Sequence, residues 1–454
     1  MGFKEILFNL PEVKRPTEKK LSFNVKLKWT LIILACFFVL ANIPLYGLAT
    51  NALQQFEYLA IIMGTEFGSI ISLGIGPIVM ASIILQLLVG ANILSIDMSS
   101  HEGKKYFQGL QKMLAVFFCI FEATVYVVMG GLQANPGFAW LLILQLFLGG
   151  ILIMLMDEVV SKWGFGSGIS LFIAAGVGWR LFVQAFGFIG ANKTIDAVGK
   201  VWVFFSSVAA ADTINAAVAA AAILATILVF LIVVYVQSIK VEIPLSFDRL
   251  RGFGMKWPLS FFYTSNIPVI LTAALLANIQ LAARLLENAL GHATFLGGFT
   301  NGVPSSGLVA FLSSPNIVEH LIRGSFTGMM IWQTLAYIFF MVAGSIMFAI
   351  FWVKTAGMDA ANVARQINAS GLQVSGFRKD PRVLESILHR YIMPLTVMGG
   401  AAVGLLASCA DLFGALVRGT GLLLAVMIVY KLYEDIAQQH AYDMHPTLKK
   451  MMGK

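Results

Sequence analysis

Several residue sets in this sequence could do covalent or ligand chemistry, and each lacks a part that the chemistry requires. Gly-Lys pairs occur at Gly103-Lys104, Gly199-Lys200 and Gly453-Lys454. None has the following Ser/Thr or the upstream glycine of a loop that cradles nucleotide phosphates, so ATP hydrolysis by that device is excluded. The stretch GFGSGIS (Gly164–Ser170) holds Ser167 in a glycine-rich turn, as a serine nucleophile would need. Phe165 occupies the position two before it, however, and the six scattered histidines offer no intramembrane base. Cys36, Cys119 and Cys409 each lie in an apolar run with no second Cys or His at ligand spacing, and H-E-x-x-H is absent. Neither a disulfide framework nor a metal site is expected, no cofactor is implied, and the chain does not read as an enzyme. Glu122 is the clearest ionisable residue inside an apolar run, with Arg180 nearer the end of another. Such residues mark transport paths when they are numerous; two suit an internal pair or a snorkelling side chain equally well.

The spacing that remains is aliphatic. In SLGIGPIVMASIILQLLVG (Ser72–Gly90), steps of four, three and four residues bring Ile75, Val79, Ser82 and Gln86 onto one helical face. In GSGISLFIAAGVGWR, Ile169, Ile173, Gly176 and Arg180 repeat the pattern. Both stripes begin at a glycine break. One such stripe is ordinary packing; two, each at an interrupted helix start, point to a central cavity. An apolar ring at mid-membrane excludes water and ions by dewetting, while its side chains can move aside for something larger.

The elements that must position these stripes are membrane helices. The chain has 454 residues, 58% hydrophobic and 12% charged, with a mean hydropathy of +0.83, far too little charge to cover a soluble protein of this length. An all-α polytopic membrane protein is predicted, with about ten spans near 30–49, 76–96, 107–131, 137–156, 167–188, 216–238, 259–281, 327–353, 391–410 and 420–437. Seven Lys and Arg (Lys4, Lys14, Arg15, Lys19, Lys20, Lys26 and Lys28) precede the first span. Most of the others fall in the loops on the same side, so both termini are expected in the cytoplasm. The net charge of +8 is thereby explained by topology rather than by a nucleic-acid partner. No removable signal peptide is read in the polar, basic first 28 residues.

Two stretches interrupt a plain bundle. Asn51–Gly76 is too apolar for an outer loop and too broken by Gly64 and Gly68 for a span. It reads as a short re-entrant helix, tolerated only where protein or a water-filled cavity surrounds it. Phe295–Asn316, rich in Gly, Ser and Pro, is expected to fold back over the bundle. The expected organisation is a basic cytoplasmic segment (1–29), a first five-span half (30–190) with the re-entrant part at about 51–74, a second half (191–437) with cytoplasmic loops at about 239–258 and 354–390, and a cytoplasmic tail (438–454).

The strings DEVVSKWGFGSGISLFIAAGV, VEIPL, SNIPVILTAALLANIQL, GFRKD, RYIMPLTVM and GTGLLL, with LGIGPIV and ASIILQLLVG, together resemble the SecY/translocon alpha-subunit family in its archaeal form. The resemblance runs through essentially the whole chain. It implies a protein-conducting channel of two pseudosymmetric five-helix halves, with a plug helix and a lateral gate toward lipid. The pore ring would be Ile75, Val79, Ile169, Ile173, Ile270 and Leu424, the last two resting on the resemblance alone. The plug would lie in roughly Tyr58 to Ile70, including Ile62, Gly64 and Phe67. Ser82, Gln86, Glu122 and Asn278 would lie near the gate seam, between spans two and three on one side and seven and eight on the other. Arg249, Arg251, Arg378 and Lys379 would dock a ribosome. Small SecE/gamma-type and beta-type membrane subunits, signal sequences, nascent chains and the lipid bilayer are the implied partners, and an archaeal cell membrane the implied location. Met80 departs from the family, which often has a small polar residue there. The competing readings are a secondary transporter of a small solute, which would need a compact polar site at midplane, and a membrane scaffold or insertase, which would need no pore face.

Overall fold

The computed structural model describes residues 11–17, 21–51, 67–90, 93–94, 96, 100–188, 199–247, 254–264, 266–300, 303–369, 372–374 and 381–444. Helices occupy all ten expected spans: α1 (Phe23–Ala41), α2 (Gly76–Gly90), α3 (His101–Val128), α4 (Ala139–Trp163), α5 (Gly168–Phe186), α6 (Thr213–Gln237), α7 (Ile267–Leu290), α8 (Gly328–Thr355), α9 (Pro381–Leu412) and α10 (Gly419–Met444). Eight are long and apolar enough to cross a bilayer; α2 and α10 are the exceptions. With 15 residues, α2 rises about 22 Å, short of a hydrocarbon core about 30 Å thick. In α10 the apolar run ends at Tyr430, before Lys431, Glu434 and Asp435. Both helices begin at a glycine.

The first helix lies several residues earlier than its hydropathy window. Lys26 and Lys28 sit inside it, where long aliphatic stems let ammonium groups reach water. Residues after Ala41 leave the helix, and β1 (Leu48–Asn51) pairs antiparallel with β2 (Leu132–Ala134), between α3 and α4. Hydropathy saw only apolar residues there; the strand pairing takes them out of the span.

The helix neighbours repeat with a period of five. The pairs α1–α4, α1–α5, α2–α3, α3–α4 and α4–α5 each have a packed counterpart five helices on: α6–α9, α6–α10, α7–α8, α8–α9 and α9–α10. An odd number of crossings per unit turns the second unit upside down, so the repeat is of the inverted kind. The two units meet through α2 against α7 and α8, and through α10 against α1 and α5.

Inside a membrane, close backbone approach replaces much of the hydrophobic driving force, and small residues permit it. Gly400 and Gly404 lay α9 on α8: a Cβ at Gly404 would stand 2.8 Å from the Met341 carbonyl oxygen. Gly149 brings α4 so close to the segment before α2 that a Cβ would stand 1.9 Å from the Ile70 carbonyl oxygen.

Two polar assemblies lie outside the apolar body. Residues 11–17 are strapped across the ends of α3 and α4. Lys112 and Lys162 both pair with Glu158, the Val13 N–H donates to the same carboxylate at 2.9 Å, and the Trp163 indole N–H donates to the Lys14 carbonyl at 2.9 Å. Replacing Glu158 by alanine is expected to release this strap. Trypsin cleavage between Lys14 and Arg15, followed by mass spectrometry, should accelerate roughly tenfold, the factor that about 1.4 kcal/mol of lost docking gives. The second assembly is a sheet in which β3 (Lys240–Phe247) pairs with β4 (Gly254–Ser260) and with β7 (Leu372–Val374), both antiparallel. The expected loops 239–258 and 354–390 therefore meet in one folded unit. A further hairpin, β5 (Gly298–Thr300) with β6 (Val303–Ser306), precedes Val309 and Leu312, both buried, as expected of a segment folded over the bundle. The Gln280 amide of α7 donates to the Leu312 carbonyl at 3.2 Å.

Candidate functional site

The helix breaks decide where the aliphatic stripes lie. Residues 70–75 form turns rather than helix, and α2 starts at Gly76. Gly74 takes a left-handed φ of +52°, a conformation that costs glycine little, and the Val79 N–H donates to the Ile75 carbonyl at 3.0 Å. Ile75 thus stands one turn ahead of Val79 on the same face. In α5, Ile169 and Ile173 are the second and sixth residues. Ile270 is the fourth residue of α7, behind Pro268 in its first turn, where proline is tolerated because its missing N–H has no helical partner. Leu424 is the sixth residue of α10. All six side chains therefore occupy the first turns of four helices or the residue just before.

They also share one contiguous apolar cluster. Ile75, Val79, Ile173, Ile270 and Leu424 are buried at 0–5% exposure, and Ile169 is half-buried against the same cluster. Five of the six are closed off from water. These six branched side chains carry no acid, base or ligand atom; such side chains can seal or yield.

The segment leading into α2 is held at its neck. The Asn51 amide donates to the Phe67 carbonyl at 2.9 Å, the Leu45 N–H to the Gly68 carbonyl at 2.9 Å, and the Ile70 N–H to the Ile43 carbonyl at 3.0 Å. The Phe67 ring meets the Tyr126 ring edge-on, 6.5 Å between centroids. Phe67 and Ile70 are thus placed beside α2, α3 and α4; Tyr58, Ile62 and Gly64 lie outside the described residues. So do Arg249, Arg251, Arg378 and Lys379, although the strands carrying their loops are paired, Leu245 opposite Val374 and Phe247 opposite Leu372.

Along the seam between the two units, α2 packs directly on α7 and α8. At its far end a Cβ on Gly90 would stand 2.3 Å from the Phe351 ring of α8. Ser82 accepts a hydrogen bond from Gln111, tying α2 to α3, which packs on α2 and α4. Gln86 and Glu122 are buried at 3% and 7% exposure, and Gln86 Oε1 and Glu122 Oε2 have no hydrogen-bond partner among the described residues. The Asn278 amide donates to the Ala274 carbonyl of its own helix at 2.8 Å, which leaves its oxygen free of that bond. Met80 is half-buried against the central cluster. The four polar residues are not gathered into one hydrogen-bonded group.

Sequence reasoning overlooked Asp157 and Asp411. The first accepts from the Ile169 N–H at 2.9 Å and the second from the Thr420 N–H at 2.8 Å. A carboxylate near the end of an apolar run, 11 or 8 residues before the glycine that opens the next helix, was the available signal.

An inverted five-helix repeat whose interrupted helix starts meet in the apolar core, with a pinned segment beside them, is the architecture of a membrane channel. The family model SecY matches residues 69–433 and the model described as the plug domain of Sec61p matches residues 36–68; the chain belongs to the SecY family. It is 47% identical to the protein translocase subunit SecY of Methanothermobacter thermautotrophicus over 99% of this chain and 98% of that one. It is 43% identical to that of Methanococcus vannielii over the whole of both. Among solved structures it is similar to one described as a protein conducting channel, with a TM-score of 0.85 and 40% identity over 98% of this chain and 99% of the other. It is similar as well to Sec61 in the canine ribosome-channel complex from the endoplasmic reticulum, with a TM-score of 0.81 and 40% identity over 98% and 99%.

Proposed function

We propose that this chain is the central subunit of a protein translocation channel, conducting nascent polypeptides across the membrane and releasing apolar segments sideways into lipid. The observation that carries the reading is that six aliphatic side chains at four helix starts belong to, or pack against, the apolar core that joins the two units, five of them buried. Aliphatic side chains make no directional bonds, so they close on one another at rest and on any unfolded chain in passage. Ile75, Val79, Ile169, Ile173, Ile270 and Leu424 form the collar. The pinned segment ending at Phe67 and Ile70, with Tyr58, Ile62 and Gly64, is the plug. Conduction is passive, and the driving force comes from a partner.

The domain division follows the helix repeat: 30–190 and 191–437 move as two halves, and the seam where α2 meets α7 and α8 is the gate. A signal segment entering there exchanges helix contacts for its own, and its release into lipid follows per-residue transfer free energies. Ser82, Gln86, Glu122 and Asn278 line that route. Arg249, Arg251, Arg378 and Lys379 dock ribosomal RNA phosphates, whose contacts are charge-driven; the pairing of β3 with β7, the strands next to these residues in sequence, supports a common role. Small SecE/gamma-type and beta-type subunits complete the assembly in an archaeal cell membrane, with both termini in the cytoplasm. The small-solute transporter reading is set aside: the matched relatives are translocases, and the buried centre is aliphatic rather than a compact polar site.

The gate is tested by crosslinking. An arrested signal sequence carrying a photoreactive residue should label cysteines placed at Gln86 and Asn278 and leave one at Tyr235, exposed on α6, unlabelled. Silence at both gate positions removes the assignment.

A further inference from the structure

Two of the four collar helices, α5 in the first half and α10 in the second, begin in the same way. Helix N-termini leave their first N–H groups without a helical partner, a deficit ordinarily met by the helix's own N-cap side chain. Such caps are present at α3, where Ser100 accepts from the Gly103 N–H, and at α6, where Asp212 accepts from the Asn215 N–H. For α5 the N-cap residue Ser167 makes no such bond. Instead Asp157, from the last two turns of α4, accepts from the Ile169 N–H at 2.9 Å. For α10, Asp411, from the last turn of α9, accepts from the Thr420 N–H at 2.8 Å through one oxygen, and from the Tyr337 and Thr420 hydroxyls through the other.

The two arrangements coincide under the helix repeat. Helix α4 corresponds to α9 and α5 to α10. Gly168 corresponds to Gly419, and the N–H that each carboxylate holds belongs to the next residue. A Cβ on Gly168 would stand 2.6 Å from the Asp157 Cα, and one on Gly419 2.0 Å from the Ala410 carbonyl carbon. Both helix starts therefore lie directly on the backbone turn that bears the acid. Five residues after each glycine comes a collar side chain, Ile173 in one half and Leu424 in the other.

We infer that Asp157 and Asp411 are equivalent positioning residues, each a carboxylate borrowed from the preceding helix that fixes the start of a collar helix and thereby the height of Ile173 or Leu424. An N–H left unpaired at membrane depth is costly, and a carboxylate also complements the positive end of the helix. The device holds the collar from opposite sides of the membrane, because five crossings separate its two copies. What it requires is an acceptor at a fixed place. Position 157 gives the simpler comparison, because Asp411 also accepts from the Tyr337 and Thr420 hydroxyls.

This inference rests on the channel reading above, and the test separates the two. Purified chain is reconstituted in planar bilayers and resting ion conductance is compared for Asp157→Asn, Asp157→Glu and Asp157→Ala, with Asp411→Ala and a collar variant, Ile173→Gly, alongside. Asparagine keeps an acceptor in place without the charge; glutamate keeps the charge and displaces the acceptor by one methylene. We expect D157N to remain tight while D157E, D157A and D411A leak severalfold above the parent, as I173G does. If D157A does not fold, the contrast between D157N and D157E is sufficient by itself. A leak from D157N equal to that from D157E, or tight D157E and D411A beside a leaky I173G, overturns the positioning role and leaves the collar standing. Tightness in every variant, I173G included, overturns both.

Discussion

Replacing Ile75, Val79, Ile169 and Ile173 together by glycine should raise the resting ion conductance of the reconstituted channel by roughly tenfold or more, since a dewetted constriction conducts once it can hold a continuous water column. Three of these four side chains are buried at 0–4% exposure and the fourth is half-buried against them. Glycine leaves backbone that water can solvate. The variant should still insert, because the four positions contribute little to the hydropathy of spans that are otherwise intact. Single-channel recording under an applied potential reads the effect; an unchanged leak would remove these residues from the seal.

The second large effect is expected at Gly149. Any Cβ there meets the Ile70 carbonyl oxygen at 1.9 Å, and the obstacle is backbone, which cannot rotate away. Alanine should cost about 1–3 kcal/mol, the range of overpacked interiors, and valine more. Because Ile70 opens the turns that lead through Ile75 into α2, α4 can relieve the clash only by pushing that segment toward the centre. Gly149→Val should therefore lower the thermal midpoint in detergent and raise the resting leak together. Gly176, where a Cβ meets nothing within 4 Å, supplies the control: Gly176→Ala should change neither.

Much of this architecture was legible in the residues. Hydropathy located all ten helices, the first several residues late, since length and apolarity are what a bilayer demands of a span. The glycine breaks at Gly74, Gly76 and Gly168 marked the starts of α2 and α5, because the aliphatic period restarts at each. Ile270 and Leu424 carried no comparable stripe and were assigned only through the family strings. What stayed hidden depended on distant pairing. The strands after Ala41 and within the two long loops form only because β1 finds β2 and β3 finds β4 and β7; the alternation in VEIPLSF is too short to separate a strand from a loop. Sequence reasoning singled out neither Asp157 nor Asp411. Their partners lie across a turn in a different helix, a relation that spacing along one helix does not encode.

The central claim is that a polypeptide passes through the collar, and site-specific crosslinking of a chain arrested in passage tests it most directly. Single cysteines at Ile173, Leu424 and Phe339, the last 74% exposed on the outer face of α8, would be presented to a ribosome-bound nascent chain carrying one reactive residue. The account predicts adducts at Ile173 and Leu424 when that residue is at collar depth, and none at Phe339. Adducts at Phe339 with both collar positions unreacted would mean the chain travels along the outside of the bundle, and would contradict it.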